Sequence, residues 1–383
     1  MRIGIDARSL EGERTGVGRY LYELLKEWKQ TSSIHAQFFL YFKKEIPSDI
    51  AKIFGAPSFS LKRLPMYFGH PSNAFFLHVA FPWALRKDHI EHAFYPAYVA
   101  PLLSSVPFSV TIHDIVYAAR PDLYFWPGMF DRIFLPILSR WSATRAAHIF
   151  VPSEFTKTEI TRVWYIRKEK TIVTPEGAGE EFFFDETEED KKRACMRYSI
   201  LPPFFLFVGS IFTRRHIPEC IQAFERIAHE FKDLQFLIAG KDRTRPPANI
   251  NKRVREINNR LGRDAIKRVD FIDPQLLPAI IQSATAMVWL SDYEGFGLPA
   301  LEAMAAGTPL ITTKNTSLAE VVGDAAYDVS NTRDVGTIER AFRDVLNNEG
   351  LRKNMRESGR IRARDFSWKS CAQQTLTTIL QTP

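Results

Sequence analysis

The stretch EGFGLPALEAMAAGTP at 294–309 predicts a short apolar helix with a well-marked start and end. Pro299 suits the first turn, because a proline lacks the N–H group that would have no intrahelical acceptor there. Gly307, Thr308 and Pro309 together form a helix stop signal, so the helix is predicted over 298–306. A short loop separates it from TAMVWL at 285–290, which has the composition of a buried strand. Open α/β sheets bind ligands at such strand-to-helix loops.

The glycines before this helix let the main chain approach a ligand. Gly295 and Gly297 carry no Cβ, so the N–H groups from Phe296 to Leu298 can come within hydrogen-bonding distance of a bound molecule. The helix dipole adds a partial positive charge at the same place. We therefore predict that these four residues bind the phosphates of a donor molecule.

Two glutamates accompany this backbone. Glu294 stands in the loop and Glu302 lies inside the helix, about 80° further round the axis if helical spacing is extrapolated. A carboxylate without a cationic neighbour does not normally face a phosphate, but it accepts hydrogen bonds from the vicinal hydroxyls of a ribose or pyranose. The hypothesis is one glutamate for a transferred sugar and one for a nucleotide ribose. The alternative is a capping Glu294 and an exposed Glu302.

The composition is that of a soluble globular protein with two domains. The chain has 383 residues, too many for one ordinary core, and 45% of them are hydrophobic and 25% charged. The net charge of +7 comes from Lys and Arg residues that are interleaved with Asp and Glu. Without a basic stripe, we expect anionic small molecules or an anionic membrane surface as partners, and no nucleic acid.

The cysteines and the start of the chain favour a cytoplasmic protein. Cys195, Cys220 and Cys371 are scattered and form no CxxC pair, which favours a reducing compartment over structural zinc or a disulfide framework. The opening residues MRIGIDARSL interrupt any apolar run with charges, so we expect no secretory leader. No apolar run approaches the roughly 20 residues that span a bilayer.

Short apolar runs alternate with amphipathic stretches along the chain, as in parallel sheets wound with helices. The charged run DETEEDKKR at 185–193 is either a domain boundary or the solvated first turn of a helix. We predict an α/β protein with two Rossmann-like doubly wound domains, over 1–184 and 190–361, that face a central cleft. The predicted strands are RIGID at 2–6, AQFFLYF at 36–42, FSVTIHD at 108–114, HIFVPS at 148–153, FFLFVGS at 204–210, LQFLIAG at 234–240, RVDFID at 268–273, TAMVWLS at 285–291 and TPLITT at 308–313.

The loop GSIFTRRHIPE at 209–219 predicts a diphosphate site. Arg214 and Arg215 come just before a helix whose first turn holds Pro218, so two cations meet a helix N-terminus. One guanidinium group can bind two phosphate oxygens at once, and the free backbone N–H groups of the helix N-terminus add their own hydrogen bonds. We include Ser210 of this loop among the donor-binding residues. The alternative is a solvated pair of arginines.

The loop RTGVGRY at 14–20 also precedes a predicted helix. A dinucleotide fingerprint, GxGxxG, would need glycine at position 21, where Leu21 stands. Gly16 and Gly18 instead suit a loop whose N–H groups approach an anion or a sugar. The alternative is a turn that needs both glycines only for its backbone conformation.

These motifs resemble those of the largest family of retaining GT-B glycosyltransferases, which includes many bacterial mannosyltransferases and sucrose-phosphate synthases. The resemblance covers nearly the whole chain. It implies a GT-B architecture with an acceptor-binding domain over 1–184, a donor-binding domain over 190–361, and a C-terminal crossing helix at 362–383 that packs back on the first domain. The matching segments are EGFGLPALEAMAAGTPLITT with SLAEVVGDAA, MRIGIDARSLEGERTGVGRYLYELL, HDIVYAARPDLY, VPSEFTKTEI and DFSWKSCAQ.

The resemblance also implies roles for single residues. Glu294 is implied to contact hydroxyls of the donor sugar and Glu302 the ribose, while the backbone after Glu294 holds the β-phosphate. The pair Arg214 and Arg215 is implied to neutralise the diphosphate. His113 matches the family's mid-domain histidine, so we predict that it contacts the donor sugar near the acceptor and is not the general base. Without the resemblance, a histidine at a strand end is more often a structural group.

The chain departs from the family pattern in two places. Arg215 stands where the family usually has Lys, and His216 where it often has Asn. A guanidinium keeps the positive charge, but its reach differs from that of an ammonium. The segment FIDPQLLPAI at 271–280 is shorter than the usual nucleobase loop, which leaves the identity of the base open.

The expected chemistry needs neither a metal ion nor a cofactor. No DxD pair of carboxylates follows a strand, and DRTRPP at 242–247 has one acid among arginines. Arg214, Arg215 and a helix dipole are expected to do what a divalent cation does elsewhere. In a retaining transfer by front-face attack, the departing phosphate oxygen takes the acceptor proton, so the protein supplies mainly orientation and charge stabilisation.

The expected reaction moves a hexose from a nucleoside diphosphate sugar, with GDP-mannose as the first guess, to a glycan or lipid-linked acceptor. Such a reaction builds cell-surface polysaccharide, for example lipopolysaccharide. The alternatives are a nucleotide-sugar epimerase or hydrolase on the same scaffold and a non-catalytic glycan-binding partner. The missing third glycine disfavours a dehydrogenase.

Three aromatic and basic stretches of the N-terminal half fit two interpretations. One is peripheral docking on the inner face of a membrane that carries a lipid-linked acceptor, and the other is ordinary core and surface. The stretches are YFKK at 41–44, LKRLPMYF at 61–68 and FPWALRK at 81–87.

Overall fold

The chain folds into two units, each built on one parallel sheet. One unit comprises Met1–Glu176 with Ser367–Pro383, and the other comprises Gly177–Phe366. This is the two-domain α/β organisation that the alternation of apolar runs predicts. The computed structural model describes residues 1–12, 14, 16–31, 36–55, 57–64, 72–126 and 128–382.

The first unit holds a sheet that reverses its strand order near the middle. Its strands are β1 (Arg2–Asp6), β2 (Gln37–Phe42), β3 (Phe59–Arg63), β4 (His92–Tyr95), β5 (Phe108–Thr111), β6 (His148–Val151) and β7 (Thr171–Val173). Among the described residues they pair in parallel, in the order β3-β2-β1-β4-β5-β6-β7. The order reverses between β1 and β4, and doubly wound sheets bind ligands at such a point.

Amphipathic helices cover this sheet. Leu21, Leu25 and Trp28 recur at intervals of four and three residues and are buried, so the first helix packs one face on the core. Ser153 caps another helix by accepting a hydrogen bond from the N–H of Thr156 at 3.1 Å. The helices are α1 (Val17–Gln30), α2 (Ser48–Phe54), α3 (Asn73–Phe75), which continues through a π-helical turn (Phe76–Ala80) into α4 (Phe81–Lys87), α5 (Val116–Ala119), α6 (Met129–Arg145) and α7 (Glu154–Trp164).

The second unit repeats the doubly wound plan. Its strands are β8 (Phe204–Val208), β9 (Gln235–Ala239), β10 (Ile266–Val269), β11 (Ala286–Trp289), β12 (Leu310–Thr312) and β13 (Tyr327–Asp328). Within the described part of the chain they form one parallel sheet in the order β10-β9-β8-β11-β12-β13. The switch in strand order lies between β8 and β11.

The last helix of the chain returns to the first unit. Ser367 caps it, and Trp28 of α1 donates a hydrogen bond from Nε1 to the carbonyl of Ala372 at 2.8 Å. The helices after α7 are α8 (Glu188–Arg197), α9 (Ile217–Ala228), α10 (Ile250–Leu261), α11 (Leu277–Ser283), α12 (Leu298–Ala305), α13 (Thr316–Val322), α14 (Val335–Asn347), α15 (Glu349–Ala363) and α16 (Trp368–Leu380).

The unit boundaries differ from the predicted ones by several residues. The first unit ends at Glu176 rather than at 184, because Ala178 and Phe182 pack into the core of the second unit. The charged run at 185–193 is mostly the capped start of α8, where Thr187 Oγ1 accepts from the N–H of Asp190. The second unit begins at 177 rather than 190, and its last helix, α15, runs past 361.

The aromatic and basic stretches considered for membrane contact combine buried aromatic residues with exposed basic ones in their described parts. Tyr41, Phe42 and Phe81 are fully buried, so these three aromatic side chains are not available for docking, whereas Lys44 is exposed. In FPWALRK only Trp83 among the aromatic residues is exposed. Residues 65–68 of LKRLPMYF lie outside the described residues.

Candidate functional site

Two loops of the second unit meet where its strand order switches. β8 and β11 are neighbours in the sheet, so the loops after Val208 and Trp289 lie side by side. Gly209 has a φ of 146°, and a Cβ on it would lie 2.8 Å from the Trp289 ring. The N–H of Asp292 donates to the carbonyl of Arg214 at 3.0 Å, which ties one loop to the other.

Arg215 is the buried centre of these loops. Its guanidinium lies over the Trp289 ring at 4.1 Å from the centroid. Nη1 donates to the carbonyl of Ser210 at 2.6 Å, and Nε and Nη2 each lie 3.2 Å from Glu294 Oε1. Arg215 is only 9% exposed, so the alternative of a solvated arginine pair is wrong for this residue. Arg214 is half-buried and donates from Nε to the carbonyl of Tyr293 at 3.2 Å.

Glu294 has a cationic neighbour, Arg215, although the sequence analysis treated it as a carboxylate without one. Burial raises the pKa of its carboxyl group, but the charges of Arg215 and Arg214 and its hydrogen bonds lower that pKa more. Its pKa therefore lies below the ordinary value, and the group is an ionised acceptor at neutral pH. The premise of an isolated carboxylate was wrong because Arg215 is 79 residues away in sequence and comes close only through the β8–β11 pairing.

The loop before α12 is held in place by α13. Ser317 Oγ donates to the carbonyls of Glu294 and Phe296 at 2.8 and 3.1 Å. Gly297 caps α12 with a φ of 108°, and a Cβ there would lie 2.5 Å from Leu318. Only glycine meets both demands. At the start of α12 the N–H of Leu298 precedes any intrahelical acceptor, Pro299 has no N–H group, and the N–H of Ala300 already donates to the carbonyl of Gly297 at 3.0 Å.

The helix itself lies close to the predicted position. It covers Leu298–Ala305 against the predicted 298–306, and Pro299 lies in its first turn. Glu302 is buried at 5% exposure, so the alternative of an exposed Glu302 is wrong. Gly295 is buried in the loop before the helix.

His216 and Asp292 form a second link between the loops, which the sequence did not indicate. His216 takes a left-handed conformation with φ of 52°, and its Nε2 lies 2.8 Å from Asp292 Oδ1. Thr332 also donates to this carboxylate at 3.3 Å. Burial raises the pKa of Asp292, but its bonds with His216 and Thr332 and nearby positive charge lower that pKa by more. The pKa of Asp292 therefore lies below its ordinary value. The only sequence signal was the departure at position 216.

In the first unit, the two predicted glycines have different reasons. Gly16 is exposed and caps α1 with a φ of 52°. A Cβ on Gly18 would lie 2.3 Å from the carbonyl oxygen of Ser9, so Gly18 is required by packing. The alternative of a backbone conformation thus fits Gly16, packing explains Gly18, and a contact of this loop with an anion or a sugar stays a prediction. Thr15 lies outside the described residues.

His113 is fixed at both ring nitrogens. It follows β5 by two residues, with Nδ1 3.1 Å from Glu176 Oε1 and Nε2 2.9 Å from the carbonyl of Pro96. Burial lowers the pKa of His113, but the bonds with Glu176 and Pro96 raise it above the ordinary value. Both partners are oxygen atoms, so both ring nitrogens are engaged in hydrogen bonds within the unit. The predicted contact of His113 with a sugar through a ring nitrogen would have to replace one of these bonds.

A polar group at the switch point of the first sheet was missed by the sequence reading. Arg8 donates from Nε and Nη2 to Asp6 at 2.9 and 2.6 Å, directly after β1. Tyr95, the last residue of β4, is fully buried, and its hydroxyl has no hydrogen-bond partner within the described residues. Both acids and bases are common at strand ends, so the sequence offered no specific signal.

The structure also bears on metals, cysteines and membrane spans. Among the described residues, no cluster of three or more His, Cys, Asp or Glu side chains is placed to hold a metal ion. Cys195, Cys220 and Cys371 are buried and free. In the part of the chain that is described, no helix combines the length and apolar character that crossing a bilayer requires.

Comparison with known proteins identifies relatives along the whole chain. The "Glycosyltransferase Family 4" model matches residues 14–181, and the "Glycosyl transferases group 1" model matches residues 200–362. The O-antigen chain mannosyltransferase B of Escherichia coli is 28% identical over 399 residues, which cover 98% of each chain.

Solved structures show the same fold. Sucrose-phosphate synthase from Thermosynechococcus elongatus has a TM-score of 0.75 at 20% identity, covering 99% of this chain and 98% of its own. Anabaena Alr3699/HepE in complex with UDP and glucose has a TM-score of 0.74 at 13% identity, covering 100% and 99%. Both units match glycosyltransferase models, so the chain belongs to the GT-B glycosyltransferases, with a second unit of the glycosyl transferases group 1.

Proposed function

We propose that this glycosyltransferase moves a hexose from a nucleoside diphosphate sugar to a glycan or lipid-linked acceptor, with retention of the anomeric configuration and without a metal ion. Mannose is the first sugar to test, since a mannosyltransferase of Escherichia coli is similar over nearly the full length. The proposed setting is the synthesis of a cell-surface polysaccharide, on the cytoplasmic side of the membrane.

The observation that carries the proposal is the pairing of two arginines with a helix start in the second unit. Arg214 and Arg215 follow β8, and the N–H groups around Leu298 open α12 after β11. β8 and β11 are adjacent, so both groups lie at the switch point of one sheet. Guanidinium charge and helix N–H groups together suit a diphosphate. The complex of HepE with UDP and glucose supports a nucleotide of this kind.

Glu294 is proposed to hold the transferred sugar. Its ionised carboxylate is an acceptor only, so it suits sugar hydroxyls. The bonds from Arg215 both go to Oε1, and a carboxylate offers about four acceptor sites in all. Arg215 thereby connects the two parts of the substrate, because one guanidinium lies against the sugar-binding carboxylate and near the proposed diphosphate.

The arginines are proposed to stabilise the leaving diphosphate. Charge builds on the bridging oxygen as the bond to the anomeric carbon breaks, and fixed cations stabilise it most in a site that is already organised. Burial and stacking on Trp289 hold the Arg215 guanidinium in one place. The acceptor proton goes to the departing phosphate oxygen, in keeping with a His113 that has both ring nitrogens engaged.

A thermal-shift screen of nucleotides and nucleotide sugars in the presence of EDTA tests the proposal. A ligand at 100 times its dissociation constant should stabilise the protein by about 2.7 kcal/mol. We expect a nucleoside diphosphate hexose to do so, and the same donor to give product only when an acceptor is added. Product from the donor alone would indicate an epimerase or hydrolase, and activity that EDTA abolishes and a divalent cation restores would overturn metal independence.

The proposed ribose contact of Glu302 has its own test. Glu302→Ala should weaken binding of a nucleoside diphosphate by roughly 1.5–3 kcal/mol, because the ribose hydroxyls lose their acceptor. Calorimetry with the matching 2′,3′-dideoxy nucleotide is the control. The wild type should bind the dideoxy ligand weakly, and the variant should bind both ligands equally. A variant that still prefers the ribonucleotide would remove Glu302 from the site.

A further inference from the structure

Helix α6 turns a small and polar side toward the core of the first unit. Ser139, Ser142 and Ala143 are fully buried. Ser139 Oγ accepts a hydrogen bond from the Tyr117 hydroxyl at 2.9 Å, and Ser142 Oγ accepts one from the N–H of Ala100 at 2.8 Å. Hydroxyl groups and small side chains therefore attach this helix to the unit.

Several large apolar side chains of α6 face the solvent, although Leu135 packs against the core. Met129, Ile133 and Ile137 follow one another at intervals of four residues, so they form one stripe along the helix. Phe134 lies beside this stripe. All four are 48–72% exposed. This is the reverse of an ordinary surface helix, which turns its apolar stripe inward.

A neighbouring loop extends the exposed apolar area. Leu102 and Leu103 are exposed, and they line one cavity together with Trp141 and Arg145 of α6. Trp141 lies one turn after Ile137, so the loop and the stripe are adjacent. We call this combined area the α6 surface. Its apolar residues are Met129, Ile133, Phe134, Ile137, Leu102 and Leu103.

Positive charge borders the α6 surface. Arg132, Arg140 and Arg145 are exposed on α6, and the sequence of this helix contains one carboxylate, Asp131. The Arg145 guanidinium lies over the Trp141 ring at 6.0 Å from the centroid. Apolar side chains, a tryptophan and flanking arginines on one helix face are the features of helices that lie in a lipid interface.

We propose that the α6 surface docks the protein on a bilayer that contains anionic lipid. The apolar stripe would enter the boundary between headgroups and acyl chains, Trp141 suits the headgroup level, and the arginines meet lipid phosphates. This inference rests on the proposed function only for its purpose, which is to bring the enzyme to a lipid-linked acceptor.

Charge favours a bilayer over a second copy of the chain. A two-fold dimer brings the same surface of both copies together, so the arginines around one stripe would meet those around the other. Like charges in such a contact are unfavourable, whereas an anionic leaflet complements all of them. We therefore treat dimer formation as an outcome that the test must exclude.

The test is co-sedimentation with vesicles in the absence of any nucleotide sugar. The wild type should bind vesicles of phosphatidylcholine with phosphatidylglycerol more tightly than vesicles of phosphatidylcholine alone. The double variant Ile133→Glu with Ile137→Glu should lose at least about tenfold in affinity, since it places charge in the apolar stripe. Arg140→Gln should lose about fivefold, and only for the anionic vesicles.

Ile361→Glu is the matched control, because Ile361 on α15 of the second unit is an isoleucine even more exposed than Ile133 and Ile137. It should bind as the wild type does. Ile133→Ser with Ile137→Ser replaces the double variant if melting shows that the latter is unfolded. Equal binding by wild type and double variant would overturn the proposal. So would light scattering that shows a wild-type dimer and a monomeric variant.

The same variants separate this inference from the proposed function. The double variant should keep the wild-type kcat/KM with a water-soluble acceptor, because α6 is no part of the donor site. Vesicle binding that depends on the stripe, in a protein that transfers no sugar, would overturn the function and leave the docking surface standing. Full transferase activity together with vesicle binding that does not depend on the stripe would overturn the docking surface and leave the proposed function standing.

Discussion

Glu294→Gln is expected to lower kcat at least about 100-fold and to leave the affinity for the nucleoside diphosphate within a few-fold of the wild type. If Glu294 holds the sugar, its loss displaces the anomeric carbon, and a small misplacement is enough for such an effect. The substitution also removes a negative charge that stabilises the partly cationic sugar, which acts on turnover more than on ground-state binding. Kinetics and calorimetry on the same preparation measure the two quantities.

The buried pair with Arg215 adds an expectation for stability. Glutamine still accepts a hydrogen bond from Arg215 but leaves its charge without a counter-charge, so we expect a loss of about 2 kcal/mol in the free energy of unfolding. Glu225→Gln is a control, since Glu225 pairs with Arg260 at a more exposed position of the same unit. Near-normal turnover of Glu294→Gln would refute the assignment. Loss of nucleotide binding together with a large fall in Tm would mark Glu294 as a structural residue.

Arg214→Gln is expected to lower kcat/KM by about 100- to 1,000-fold with a small change in Tm. A fixed cation that stabilises developing charge contributes about this much. Arg214 is half-buried and its main structural contacts are the Tyr293 carbonyl and the Phe212 ring, 4.4 Å from its guanidinium carbon. Arg214→Lys should recover part of the loss, because it restores the charge without the fork of donors.

The comparison with Arg215→Gln separates catalysis from folding. That variant leaves the Glu294 carboxylate buried without its cation, which costs about 3–5 kcal/mol, so Tm should fall along with activity. Arg226→Gln is the surface control, because Arg226 pairs with Glu339 away from the two loops. A normal kcat/KM in Arg214→Gln would show that Arg214 does not act on the leaving group.

Much of the fold could be predicted from the sequence because buried parallel strands consist of runs of apolar residues. RIGID and FFLFV match β1 and β8 to within two residues. β3, β4, β7 and β13 were missed. HAFY, TIV and YD are too short for any periodicity to stand out, and two of the five side chains of FSLKR in β3 are charged. The run predicted at 268–273 overlaps only the end of β10, which is IKRV at Ile266–Val269, since two of its four side chains are charged.

The residues of the candidate donor site could be found because they sit directly after strands. Position in the loop after a strand is a local property of the sequence, and Arg215 and Glu294 both have it. The contact between these two residues is not local. The Arg215–Glu294 contact joins residues 79 apart, and the His113–Glu176 contact joins residues 63 apart. Each depends on which strands become neighbours, and a single sequence does not state the strand order.

The exposed stripe of α6 was invisible for a different reason. Apolar residues at helical spacing predict a buried face, and Ile133 and Ile137 fit that pattern as well as any core residue. The inward face is decided by Ser139 and Ser142, whose hydroxyl groups find partners in the unit. Only the packed structure shows that the side of α6 with Ser139 and Ser142 faces the core.

Proton NMR of the transfer product shows whether the protein is a retaining transferase that needs no metal ion. The enzyme is incubated in EDTA with a nucleoside diphosphate mannose and a glycan acceptor, and the anomeric signals of donor and product are compared. We expect one new glycosidic linkage with the anomeric configuration of the donor, formed only in the presence of acceptor and absent with Glu294→Gln. An inverted linkage, free mannose or an epimerised donor, or product that appears only after a divalent cation is added, would contradict this expectation.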